Sequence, residues 1–370
     1  MPPGPDLELR DRVLAAGTGA GLEVVGACSA EPFLAARKAL EERKAAGLNG
    51  TMQFTYKNPV RSTDPSATVE GCVTLVVAAA RYPSSVPEQP ARASARVARY
   101  ATDDHYGRLR SGLQAMADLL KAAGHRALVM ADDNSVVDRA AAHRAGIGWY
   151  GKSANLLVPG QGSWFVLGSV LTTADLGESP EAVADGCGTC RRCLDGCPTG
   201  AIVAEGVVDA RRCLAWLVQQ PGEFPHEYRE ALGDRLYGCD ECQEVCPPNR
   251  RTDLADPTVM APGAAPGPWV DVEWLLTAPD DELLDDATLG RWYVPKRDAS
   301  VLRRNGIVVL GNLVHDGRAR PEDLDLLVPF LKGADPVLAE HAGWAAVRGG
   351  RPDLLDPSPV RQDVADGPTT

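Results

Sequence analysis

The sequence predicts a multidomain α+β chain in three parts: an α/β region, a cysteine-rich metal-binding segment and a C-terminal run of helices. Three observations carry this. Up to about residue 175, apolar runs such as "CVTLVVAAARY" (72–82) alternate with helically spaced stretches. Eight of the ten cysteines fall between 187 and 246. From residue 272 onward every strong pattern is helical. A chain of 370 residues holds two or three domains at ~100–200 residues each.

Taken in order, residues 6–17 read as a helix and "LEVVGACSA" (22–30) as a buried strand. Residues 72–82 form a second, continuously apolar strand, covered on both faces. "HYGRLRSGLQAMADLLKAAG" (105–124) sets Leu109, Leu113, Met116 and Leu120 at helical spacing and closes on Gly124. "HRALVMADD" follows as a strand and "SVVDRAAAHRAG" as a helix capped by Asn134 or Ser135. Residues 155–173 read as a hairpin turning at "PGQG". Residues 178–185 are polar linker, and 247–269 a Pro/Gly-rich connection. "VEWLLTA", "SVLRRNGIVVLGNLVHD", "EDLDLLVPFLKG" and "PVLAEHAGWAAVRGG" are helical, two of them resembling successive repeat units. The parts run 1–177, 178–250 and 251–355, with 356–370 a disordered tail.

A formal charge of −12 argues against a protein that coats nucleic acid by bulk charge, though it permits a local basic groove. No apolar run is long enough to cross a membrane, and the N-terminus carries no basic, apolar or twin-arginine leader. A cytoplasmic protein is expected, whose clustered thiols serve metal or catalysis rather than disulfides. There is no Walker A, HExxH or GxSxG motif. The glycines of "GIGWYGK" follow a helix, not a strand, so they form no dinucleotide fingerprint.

The run Cys187-x2-Cys190-x2-Cys193-x3-Cys197-Pro198 is the bacterial ferredoxin pattern, in which three thiolates wrap one cubane and the fourth serves a neighbour. Cys239-x2-Cys242-x3-Cys246-Pro247 is one cysteine short, and Cys213 fills the gap. The crossover assigns Cys187, Cys190, Cys193 and Cys246 to one 4Fe-4S cluster, and Cys197, Cys213, Cys239 and Cys242 to a second. A pair of zinc sites is the alternative that CxxC pairs permit. Cys28 and Cys72 lie in strand runs and read as core.

Two clusters carry electrons but make no bonds, so a second site must use them. "ADDNSVVDRAAAHRAGIGWYGKSANLLV" (131–158) is the richest stretch. Asp132 and Asp133 end a strand, where ligands sit in α/β sheets. A carboxyl there acts as a general acid if its surroundings raise its pKa. The same acids, with Asp138, also suit an ordinary helix start.

These stretches, with "DARRCLAWL", "DRLYGCDECQEVCPPN" and "LRRNGIVVLGN" in the same order, resemble epoxyqueuosine reductases from about residue 6 to about residue 350. The resemblance implies a cobalamin-binding α/β domain (1–177), a two-cluster ferredoxin-like domain (178–250) and C-terminal HEAT-like repeats contacting tRNA (251–355). It implies reduction of epoxyqueuosine to queuosine at the tRNA wobble position, the last step of queuosine biosynthesis. Electrons would come from an external one-electron donor, such as a flavodoxin or ferredoxin, through both clusters to cobalamin. The family's acid matches Asp132. The following Ser or Thr is Asp133 here, and a frequent Pro is Ser135, so Asp133 is a candidate to share the role. The resemblance also suggests a corrinoid pocket from Arg61, Ala98, Asp132, Ser153, Leu156, Leu167 and Ala215, in a monomer.

For the tRNA anticodon stem-loop, Lys296, Arg297, Arg303 and Arg304 are the expected phosphate contacts, with Arg211 and Arg212 beside them. Trp149, Tyr150, Trp164 or Tyr237 would stack on bases. A reductive dehalogenase and a ferredoxin-type electron carrier are the rival readings. The first usually carries a twin-arginine leader and lacks the C-terminal repeats; the second needs neither the α/β region nor "GIGWYGK".

Overall fold

The computed structural model describes residues 4–83, 85–179, 183–255 and 266–355. The expected tail and much of the Pro/Gly-rich connection lie outside these residues.

The first part is built on strands β1 (Val24–Ser29), β2 (Thr74–Arg81), β3 (Ser94–Val97), β4 (Ala127–Ala131), β5 (Trp149–Tyr150), β6 (Leu156–Leu157) and β7 (Phe165–Thr172). Four of them form a sheet in the order β1-β2-β7-β4. Helices cover both faces, as the alternating pattern predicts, yet every neighbouring pair is antiparallel. The period of two sorts the side chains of β2. Val76, Ala78 and Ala80 pack under helices Leu7–Gly19 and His105–Ala122, against Leu109, Leu113, Met116 and Leu120. Leu75, Val77 and Ala79 face the other way, with Cys28 and Cys72 in the same core.

The expected hairpin over 155–173 does not form. A lone bridge between Val158 and Gly162 closes the turn, after which β7 pairs with β2 on one side and β4 on the other. A strand this apolar needs both neighbours and both faces, and a hairpin partner two residues long supplies neither. β6 pairs instead with β5. The helix expected over 135–146 is shorter, Asp138–Arg144, and its N-cap is Val137, which makes no side-chain cap. Helix Leu34–Ala45 and strand β3 carry too little apolar pattern to be read from sequence.

The three parts are knitted together. In the cysteine segment β8 (Ile202–Ala204) and β9 (Val207–Val208) pair with each other. β10 (Arg235–Tyr237) and β11 (Trp269–Asp271) flank β3 in the order β10-β3-β11. The "PPNRR" stretch, expected as irregular connection, begins a helix, Pro247–Ala255. Proline suits a first helical turn. Asn249 anchors it, donating to the Gln243 carbonyl and the Ser163 hydroxyl, each at 2.9 Å.

Helices Ser300–His315 and Pro336–Arg348 pack face to face. A Cβ on Gly311 would lie 2.8 Å from the Ala345 Cα, so the contact requires glycine there. Their core is continuous with Leu214, Leu217 and Phe224 of the cysteine segment. Among the described residues no helix is long and apolar enough to cross a membrane.

Candidate active site

A cavity of about 1740 Å³ opens between the end of the four-stranded sheet and the cysteine segment. Asp132 lines it, directly after the last residue of β4. Its backbone is left-handed, at φ 54°, a conformation that is costly for a residue other than glycine, asparagine or aspartate. Water reaches the carboxyl through the cavity, but protein surrounds it on its other sides. That burial raises its pKa above the ordinary carboxylate value; Arg110 opposes the rise and Asp133 adds to it. A carboxyl whose pKa is raised at a cavity wall is suited to donate a proton.

Its neighbours reinforce this. The Tyr100 and Tyr106 phenols also line the cavity and are pushed up first by burial, with Asp132's charge contributing. Asp138, the first residue of its helix, is held well above the carboxylate range by burial and then by Asp132. Asp133 is differently employed: its carboxylate accepts from the Ser135 amide at 2.7 Å, closing the turn, and it does not line the cavity. Asn134, a candidate cap by sequence, instead uses its carbonyl to accept from the Ser62 hydroxyl at 2.6 Å.

All ten cysteines are free, and Cys28 and Cys72 are the two buried ones. The other eight fall into two electrostatic groups. Cys246 is pushed up to about 11 by burial, with Cys187, Cys193 and Cys190 adding to it and a backbone hydrogen bond at Asn249 opposing. Cys193 is raised by burial and then by Cys187, with Cys190 adding. Cys242 stands well above its ordinary value through burial, then Cys239 and Cys213, with Asp240 and Cys197 adding. Cys239 is pushed up to about 12, by burial first, with Arg235 opposing and Cys213 adding.

Such crowding makes bare thiolates unfavourable and leaves room for a cationic group to take them up. Among the described residues no three His, Cys, Asp or Glu side chains converge as a single ion demands. Cys197, Cys213, Cys239 and Cys242 line the same cavity as Asp132, whereas Cys187, Cys190, Cys193 and Cys246 do not.

Of the residues expected to hold a corrinoid, Asp132, Ser153, Leu156, Leu167 and Ala215 line the cavity. Arg61 and Ala98 do not. Arg61 is exposed on the short helix Pro59–Ser62. Ala98 is buried, its amide donating to the Tyr237 carbonyl at 2.9 Å.

The expected basic surface is smaller than the sequence suggests. Arg304 is 1% exposed, so it is a core residue and not a phosphate contact. Its guanidinium donates to the carbonyls of Gln220 and Gly222, each at 2.7 Å, and of Leu217 at 3.1 Å. Arg303 is tied to Asp280 and to the Ala278 carbonyl. Arg211 pairs with Asp209 at 2.7 Å, and Arg212 donates to the Thr199 carbonyl. Lys296 and Arg297 remain exposed, both with left-handed backbone, although the Arg297 guanidinium also donates to the Gly290 carbonyl at 3.3 Å and to the Leu284 carbonyl.

Of the aromatic candidates, Trp149, Trp164 and Tyr237 are buried, and Tyr150 is exposed on the cavity wall. The sequence reading missed Tyr293, which is 59% exposed at the cavity. Tyr237 props it from behind: its ring stacks on Trp292 at 4.4 Å, and its hydroxyl accepts from the Tyr293 amide at 2.9 Å. No local signal marks Tyr293, but its basic neighbours Arg291, Lys296 and Arg297 do.

Two thiol groups, one opening onto a cavity lined by an acid of raised pKa, define an oxidoreductase with an iron–sulfur domain. Residues 186–249 match the family described as 4Fe-4S double cluster binding domain. The epoxyqueuosine reductase of Bacillus anthracis is 30% identical over 91% of this chain and 88% of its own. That of Vibrio cholerae is 32% identical over 88% of each. A crystal structure of epoxyqueuosine reductase with an epoxyqueuosine-modified tRNA-Tyr stem loop superposes with TM-score 0.82, at 28% identity over 93% of this chain and 90% of that one. The chain belongs to the epoxyqueuosine reductase family.

Proposed function

We propose that this oxidoreductase reduces epoxyqueuosine to queuosine at the wobble position of tRNA, with Asp132 as proton donor. The observation that carries the reading is a single cavity lined both by Asp132 and by Cys197, Cys213, Cys239 and Cys242. Acid and electron source then meet at one place. The relatives' activity and the tRNA stem loop in the solved structure support the same substrate. They do not favour a dehalogenase or a simple electron carrier.

The eight thiols suit two 4Fe-4S clusters, assigned as the crossover requires: Cys187, Cys190, Cys193 and Cys246 for one, Cys197, Cys213, Cys239 and Cys242 for the other. The charges that act on Cys242, from Cys239, Cys213 and Cys197, and on Cys246, from Cys187, Cys193 and Cys190, support this division. The second group, at the cavity, is the one that delivers electrons to the site. The first receives them from an external one-electron donor of flavodoxin or ferredoxin type.

The cavity fits a cobalamin in size, being larger than the ~300–1,000 Å³ that drug-sized ligands occupy. Its wall offers apolar Leu156, Leu167 and Ala215 beside polar Ser153. These four residues would hold the cofactor, without Arg61 or Ala98. Bound there, cobalamin supplies the strong nucleophile or reductant that a cluster alone lacks. The net reaction takes the epoxide, two electrons and two protons to the alkene and water. Asp132 gives its proton to the departing oxygen and is re-protonated through the cavity. The surrounding protein, by raising the carboxyl's pKa, favours its protonated form.

By this reading residues 1–177 form the cobalamin domain, 178–250 the cluster domain and 251–355 a HEAT-like helical region that meets tRNA, in a monomer. Lys296 and Arg297 contact phosphate, and Tyr293 or Tyr150 stacks on an unpaired base. The deciding experiment is anaerobic turnover of reconstituted protein with cobalamin, a low-potential reductant and an epoxyqueuosine-bearing anticodon stem-loop. Mass spectrometry is expected to find the loss of one oxygen atom. An unchanged stem-loop, with clusters and cobalamin bound, overturns the reading.

A further inference from the structure

Asn155 lies between the two halves of this machinery. It lines the cavity with Asp132, and its side-chain amide donates to the Cys242 sulfur at 3.7 Å. The same amide nitrogen lies 3.4 Å from the Ser153 hydroxyl, as a donor to it.

The loop that carries Asn155 is built to hold that aim. It joins β5 to β6, whose register is Trp149 to Leu157 and Tyr150 to Leu156. The Gly151 amide donates to the Asn155 carbonyl at 2.8 Å, and the Ala154 amide to the Gly151 carbonyl at 2.9 Å. A Cβ on Gly148 would fall 2.1 Å from the Leu157 carbonyl oxygen, so the hairpin closes only on glycine. Ala154 pays for the tight turn with φ 65°, a strained conformation for alanine. Strain next to a side chain that donates to a thiol indicates that its direction is what the loop preserves.

An N–H directed at a ligating sulfur favours the more negative, reduced state of a cluster and raises its reduction potential. We propose that Asn155 is a positioning residue which, through Cys242, raises the reduction potential of the cavity-side cluster. The proposal rests on the reading that Cys197, Cys213, Cys239 and Cys242 bind that cluster. Asn155 thereby sets how readily electrons arrive at the cavity.

The test is a redox titration of the full chain with both clusters reconstituted anaerobically, without cobalamin or tRNA, followed by electron paramagnetic resonance. Asn155→Leu keeps the shape and removes the donors; Asn155→Ala removes the side chain. Iron and sulfide content is measured for each. The expected result is full cluster content, one cluster shifted to more negative potential in both variants, and the other unchanged. Unshifted potentials in both variants overturn the proposal. So does loss of iron from both, since the amide would then hold the fold and not tune the sulfur. Wild-type protein that takes up no cluster at the Cys242 group fails differently: it removes the ligand reading itself, and this inference with it.

Discussion

Arg110 and Asp132 are set against each other at the end of β4. The guanidinium donates to the Ala131 carbonyl at 3.0 Å, one residue before Asp132, and its charge draws the Asp132 carboxyl down. Burial draws it up more strongly, and Asp133 assists burial. The acid's pKa is therefore raised by burial and restrained by Arg110.

The sign of the pH dependence follows. A folded-state pKa above the unfolded value makes the protonated form the competent one, and turnover falls as pH rises through it. Asp132→Asn is expected to abolish turnover while cluster content and cobalamin binding persist. Arg110→Met, which removes the restraint, moves the falling limb of the rate profile to higher pH. Rate profiles with a saturating stem-loop check both. A wild-type rate in Asp132→Asn ends the assignment.

Stability has the same linkage. The contribution of Asp132 is fully present below the unfolded carboxylate pKa and is lost as pH rises through the raised folded value. Asparagine carries no charge to bury and tolerates left-handed backbone. Asp132→Asn is thus expected to be more resistant to urea than wild type at neutral pH, with the gain shrinking in acid. Urea midpoints across pH measure it.

Cys213→Ser and Cys246→Ser separate the two thiol groups. Each is expected to lose one cluster and keep the other, about four of about eight irons. The losses should be complementary in redox titrations. Loss of both clusters in both variants contradicts the division.

Arg304 and Lys296 are near in sequence and opposite in consequence. Arg304→Ala leaves buried carbonyls without donors and is expected to cost ~3 kcal/mol or more in stability. Lys296→Ala is expected to leave stability unchanged and weaken tRNA binding, lowering the salt slope by about 1. Denaturation curves and binding at several salt concentrations distinguish the two.

Tyr293→Ala is expected to weaken the stem-loop by ~1–3 kcal/mol if one base stacks there. Tyr293→Phe retains the affinity, because only the ring face is used. Equal losses in both variants argue for a role of the hydroxyl.

The sequence by itself determined what depends on local spacing. Its cysteine ladder carries the spacing of a 4Fe-4S double-cluster domain, its period of two and period of 3.6 carry β2 and helix His105–Ala122, and its ordered motifs carry the family. Asp132 was legible because it ends a strand and heads a motif. Tertiary structure alone decided the rest. Whether an arginine is a phosphate contact or a core donor depends on which carbonyls pack beside it, and for Arg304 those come from residues 217–222. Whether β7 closes a hairpin or fills a sheet depends on strands 90 and 40 residues away. Whether Asp132 keeps its proton depends on Arg110 and on burial by residues distant in sequence. Spacing along the chain encodes repeats of geometry; dielectric surroundings and the pairing of distant donors exist only after the chain has folded.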